Sequence, residues 1–107
     1  MTTYNKLVRD RIPEILDEAG KKYNVETLNH DRYILELRKK LMEELSEYQE
    51  AANDEESLGE LADILEVIYA LAEVHGESFE KLEQLRKQKA EENGAFADKV
   101  YLMDVEE

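Results

Sequence analysis

"ELADILEVIYALA", residues 60–72, has helical spacing and apolar residues on most sides, yet it opens with Glu60 and Asp63. At about 100° per residue, the apolar positions from Leu58 to Val74 spread over more than half of the circumference. A helix apolar over that arc is surrounded by protein on most sides. Glu60 falls on the side of Ile64, Val67 and Leu71, and Asp63 falls close to Val67 and Val74, while Glu66 and Glu73 take the polar side. A buried carboxylate without a partner is costly or takes up a proton. The stretch therefore predicts a packed helix and a partner for its two acids.

Working outward, the helix is expected over residues 55–75, with capping residues in "NDEES" before it and Gly76 just past its end. Upstream, Ile34, Leu37, Leu41, Leu45, Tyr48 and Ala52 repeat at three and four, predicting an amphipathic helix over residues 31–52. Pro13 and Gly20 bracket a short helix at residues 13–19, followed by an extended connector, "KKYNVETLN". Ser78 caps a fourth helix, "FEKLEQLRKQKAEEN", which ends at Gly94, and the tail around Val100 and Leu102 alternates weakly as an extended segment would. The fold class is all-α, a four-helix-bundle type with two long antiparallel helices and shorter helices at either end. The chain is one domain, residues 1–107. Two and a half partner helices do not cover the arc of the third, so a homo-oligomer, dimer or tetramer, is expected to complete the bundle.

The upstream helix carries a matching acidic pair. "MEELSEYQE" puts Glu44 on the flank of the leucine stripe and Glu47 one turn later on the same side; Glu43 falls nearly opposite the stripe and reads as solvated. In an antiparallel hairpin, Glu47 lies level with Glu60 and Glu44 with Asp63, since both pairs are centred between residues 53 and 54. Four carboxylates facing one another in a bundle repel strongly unless a divalent cation sits among them. Oxygen-only ligands select a hard ion, Mg²⁺ or Mn²⁺. In a chain with 27 acids either motif alone is commonplace, but the two level across a hairpin are not. A di-iron site is excluded, because neither His30 nor His75 follows an acid by three; His75 suits the C-terminus of its helix as a cation.

The whole chain narrows the partners. A net charge of −13 over 107 residues repels nucleic-acid polymers. No cysteine means no disulfide framework, thiolate zinc site or cysteine nucleophile. The opening "MTTYNKLVRDR" is charged, unlike a signal peptide, and the longest apolar run, residues 67–72, is far short of a membrane span. A cytoplasmic protein with no membrane partner is expected.

Glu44-x-x-Glu47, twelve intervening residues and Glu60-x-x-Asp63 resemble the signature of the all-α NTP pyrophosphatase superfamily, the MazG and phosphoribosyl-ATP pyrophosphohydrolase relatives. The opening "YNKLVRDRIPEIL" and the closing "ENGAFADKVYL" are similar to its small house-cleaning, MazG-like branch, although "NGAF" and "DKVYL" stand where that branch has "GGF" and "KRIYL". The resemblance implies cleavage of a nucleoside triphosphate between the α and β phosphates, with Mg²⁺, to a monophosphate and pyrophosphate. Glu44, Glu47, Glu60 and Asp63 would hold the metal, and Glu44 or Glu47 would be the catalytic base. The metals alone do not neutralise a triphosphate beside four acids, so cations are also expected: Lys6, Arg9 and Arg11 in the opening, and Arg86, Lys87 and Lys89 on the last helix. Lys6, Arg9, Arg86 and Lys89 are the phosphate-binding candidates. Asp10, between two arginines, reads as an ion-pair partner, and Tyr4 and Tyr69 as packing aromatics or base-stacking ones. The substrate expected is a noncanonical or surplus nucleotide. The alternatives are phosphoribosyl-ATP of histidine synthesis, and a non-catalytic helical dimerisation module that keeps its acids for metal-dependent folding.

Overall fold

Three residues, 51–53, separate the two long helices, and this short turn fixes how they meet. A computed structural model describes residues 2–106. Its helices are α1 (Ile12–Glu18), α2 (His30–Glu50), α3 (Asp54–Val74) and α4 (Phe79–Asn93), with no strand among the described residues. The fold is all-α. The helix ends fall within two residues of those expected, and α4 matches residue for residue. The tail after α4 forms no regular element.

Local chemistry explains the ends. Asn29, Asn53 and Ser78 cap α2, α3 and α4, each side chain accepting a backbone N–H three residues on, at 2.9, 2.9 and 3.2 Å. At the tight turn, Glu56 also reaches back to accept from the Ala52 N–H at 2.9 Å. Asp54, Glu55 and Glu56 occupy the first turn of α3, where the helix dipole favours them. α3 ends in a Schellman motif: Gly76, at φ 78°, donates to the Glu73 carbonyl, and Glu77 donates to Ala72. Because Asn53 alone among the turn residues caps α3 through its side chain, Asn53→Ala is expected to lower stability by about 1 kcal/mol. Urea unfolding reads this as a lower midpoint at unchanged slope.

α2 and α3 pack antiparallel and form the main helix–helix contact. Leu37 of α2 and Ile64 and Val67 of α3 are buried. α4 touches α3 near their junction, where Tyr69 and Phe79 meet at 4.3 Å between ring centroids. Among the described residues, α1 packs against no other helix. One chain thus closes only part of a bundle. Its accessible surface is 9705 Å², whereas a compact monomer of this mass exposes about 6,200 Å². Its radius of gyration is 18.3 Å, against about 13 Å for a compact chain of this length. The inner side of the α3 arc packs on α2, but Leu58, Leu61 and Leu65 remain exposed. No helix among the described residues is long and apolar enough to cross a membrane.

Candidate active site

The short turn puts Glu44 and Glu47 of α2 opposite Glu60 and Asp63 of α3. Carboxylate oxygens of Glu44, Glu60 and Asp63 lie within 4.8 Å of one another, and so do those of Glu43, Glu44 and Glu47. Glu44 belongs to both groups and is the most buried acid, at 5% exposure. Glu43 was expected to be solvated. It is instead half-buried in the same cluster, bound by Lys6 at 3.3 Å and by Lys40 at 3.7 Å. A helical wheel places Glu43 by its Cα direction alone; the cations above that flank draw the side chain in.

One oxygen each of Glu44 and Glu60 is buried without a hydrogen-bond donor. Leaving such an atom unmatched costs about 1–3 kcal/mol, more when charged. The titration of both groups reflects this. Desolvation, then the neighbouring carboxylates Glu47 and Glu44, pushes Glu60 up to about 7. Desolvation and Glu47 also raise Glu44, partly opposed by Lys40. Near neutral pH the cluster holds a proton or takes a cation in its place. Its donors are all carboxylate oxygens, two are buried and unmatched, and they converge within a few ångströms; the residues fit a hard divalent ion.

Cations frame the cluster. Lys40, one turn before Glu44, lies 3.4 Å from it and is mostly covered. Lys40 escaped the sequence reading, although the spacing Lys40-x-x-x-Glu44 signals an i, i+4 pair. The opening segment, residues 2–11, crosses the hairpin: Lys6 reaches Glu43 on α2, and Arg9 donates to Asp63 on α3 at 2.7 Å. Asn5, at φ 46°, shapes this strap with a left-handed turn that Asn tolerates. Between strap and α2 lies a small cleft of about 170 Å³, lined by Lys6, Lys39, Lys40, Glu36 and Glu43 among others. The two strap ion pairs are half exposed and contribute at most about 1 kcal/mol each. They are therefore easily exchanged for a ligand.

The remaining candidates lie elsewhere. Arg11 pairs with Glu14 at 2.9 Å. Arg86 pairs with Glu83 at 2.6 Å and holds that carboxyl below its usual range. Among the described residues, neither Arg86 nor Lys89 makes an ion pair with the clustered acids of α2 and α3. Asp10, expected in an ion pair, forms none among the described residues. Tyr69 is a packing aromatic, while Tyr4 is exposed, with the Lys6 ammonium 5.9 Å from its ring centre.

This all-α chain, with an acidic cluster held across an antiparallel helical hairpin, falls in the all-α MazG-like NTP pyrophosphatase superfamily. The chain belongs to the phosphoribosyl-ATP pyrophosphohydrolase family, whose family model matches residues 1–90. It is a pyrophosphohydrolase, a hydrolase acting on phosphoric anhydrides. The match ends before "ENGAFADKVYL". No curated protein and no solved structure matches the chain.

Proposed function

We propose that this single-domain chain is a Mg²⁺-dependent nucleotide pyrophosphohydrolase, cleaving between the α and β phosphates to give a monophosphate and pyrophosphate. The observation that carries this reading is the convergence of carboxylates with two buried, unmatched oxygens in a chain of this family. Mg²⁺, with Mn²⁺ as substitute, would be held by Glu44, Glu47, Glu60 and Asp63 and would supply charge neutralisation and a more acidic water. Glu44 and Glu47 are the candidates for the general base; burial and repulsion already raise the proton affinity of Glu44. Lys6 and Arg9 exchange Glu43 and Asp63 for substrate phosphates, a role favoured by their exposed, weakly held ion pairs. No contact among the described residues supports the same role for Arg86 or Lys89.

The working unit is a homo-oligomer in the cytoplasm, dimer or tetramer. The excess of accessible surface over a compact monomer, about 3,500 Å², supports this; a standard interface covers about 800 Å² per partner.

House-cleaning of noncanonical or surplus nucleotides is the role favoured by the "YNKLVRDRIPEIL" opening. Phosphoribosyl-ATP hydrolysis is the second reading, favoured by the description of the matching family. Pyrophosphate release from canonical and modified (d)NTPs and from phosphoribosyl-ATP, with Mg²⁺, Mn²⁺ or EDTA, separates them. Metal-dependent turnover of a modified nucleotide supports the first reading. Turnover of phosphoribosyl-ATP alone selects the second. Mg²⁺ binding by a folded chain with no turnover leaves a helical dimerisation module with a structural metal.

A further inference from the structure

The end of the chain presents apolar side chains with nothing against them. Phe96 is 98% exposed, and Val100, Tyr101, Leu102, Met103 and Val105 are 64–88% exposed. This segment lies beyond the residues matched by the family. It has a shape of its own: Lys99, at φ 59°, donates to the Phe96 carbonyl at 3.3 Å, closing a turn ahead of residues 100–106. Six large apolar residues held in water over one short segment are unusual for a stable monomer, where such patches mark interaction sites.

The same chain holds a surface suited to receive them. On α3, Leu58, Leu61 and Leu65 are 67%, 44% and 44% exposed and form one stripe, on the helix face opposite Asp63. Between residues 57 and 69 this face carries no charge, since Glu60, Asp63 and Glu66 all project elsewhere at 100° per residue. Residues 100–105 extended span about 17 Å, and the stripe from Leu58 to Ile68 spans about 15 Å.

We infer that residues 95–106 form an arm exchanged between copies, laid along the Leu58–Leu61–Leu65 stripe of a second copy of this chain. Donor and acceptor are both open within one chain, so the arm is not seated on its own stripe. The charge balance selects the occupant. A basic protein would seek the acidic surface of a chain carrying −13, and an anionic membrane would repel it. Two like-charged copies approach best at a face free of acids. A pair of arms with the stripes they cover accounts for an interface near the standard size of about 1,600 Å². The inference rests on the homo-oligomeric reading above.

The chain contains no tryptophan, so Tyr101→Trp in the whole 107-residue chain is a single reporter of the arm. Its emission is expected to move to shorter wavelength as concentration rises, in step with the mass from light scattering. Adding Leu61→Lys, at an exposed position, is expected to abolish the shift and raise the dissociation constant at least ~30-fold per site. Circular dichroism would show its helix content retained. A rise in mass with the indole still in water overturns the arm and leaves the oligomer standing. A chain that stays monomeric at every concentration overturns both. A shift already complete in the monomer shows the arm on its own chain, and a shift surviving Leu61→Lys puts it on another surface; either overturns the inference.

Discussion

Asp63→Asn is expected to abolish metal-dependent pyrophosphate release, lowering kcat/KM by about 10²–10³-fold or more. The substitution keeps the shape of the side chain and removes its negative charge, so the capped start of α3 is untouched while the ion pair with Arg9 is lost. It takes one oxygen donor from the group formed with Glu44 and Glu60. A bound divalent ion supplies several kcal/mol of transition-state charge stabilisation, and each 1.36 kcal/mol is tenfold in rate. Loss of one ligand therefore reaches the stated range. The loss should include weaker Mg²⁺ binding by calorimetry, which separates a missing ligand from a displaced substrate. Glu66→Gln, on the solvent side of the same helix, serves as control and should change activity less than twofold. Activity of Asp63→Asn within threefold of the parent would remove Asp63 from the site.

The second expectation concerns stability with pH and metal. The carboxyl of Glu60 is pushed up to about 7 from an ordinary value of 4.5, first by desolvation and then by Glu47 and Glu44. Glu44 is raised in the same sense. Between those limits the folded protein holds protons that the unfolded chain releases, so stability falls as pH rises. This contribution is fully present below about 4.5 and is lost as pH passes through about 7. In EDTA, the melting temperature should therefore fall from pH 5 to pH 8. Glu60→Gln should flatten that fall, which distinguishes the cluster from the general repulsion of a chain carrying −13. Mg²⁺ at pH 8 should reverse it. A ligand at a hundred times its dissociation constant stabilises by about 2.7 kcal/mol, which for a domain of this size raises the melting temperature by about 10 °C or more. Equal ionic strength from NaCl should not. A melting temperature that climbs from pH 5 to pH 8 in EDTA, and ignores Mg²⁺, would mean that the acids do not share a desolvated site.

Much of this architecture could be read from local signals. Asn53, Ser78 and Gly76 mark helix ends because capping and left-handed turns are decided within a few residues. That Glu44 meets Glu60 and Asp63 follows from two helical periods and a short turn, although the turn, residues 51–53, is centred earlier than the levelling of Glu44 with Asp63 requires. Features that depend on contacts between distant segments were less legible. The strap bringing Lys6 and Arg9 over the acids has no periodicity to follow, so their position emerged only from the fold. The same cations, with Lys40, reposition Glu43, which a wheel alone sends to solvent. α1 has the right local residues for a helix, yet no local rule says whether another helix will cover it. The exposed tail is a related case. Its alternation was visible, but its six bare side chains have meaning only beside the bare stripe on α3.

The short α2–α3 turn has a mechanical consequence. Treated as a pair of levers joined at residues 51–53, the hairpin carries its acids near the fulcrum. Measured from the turn ends of their helices, Glu47 and Glu44 sit about 5 and 9 Å along α2, and Glu60 and Asp63 about 9 and 14 Å along α3, on arms about 31 Å long. If the free ends at His30 and Val74 spread apart, the acids separate by less than half as much. Whatever docks on or departs from the far end of the hairpin moves the carboxylates by a geared-down fraction, so their spacing is buffered against events elsewhere in the assembly.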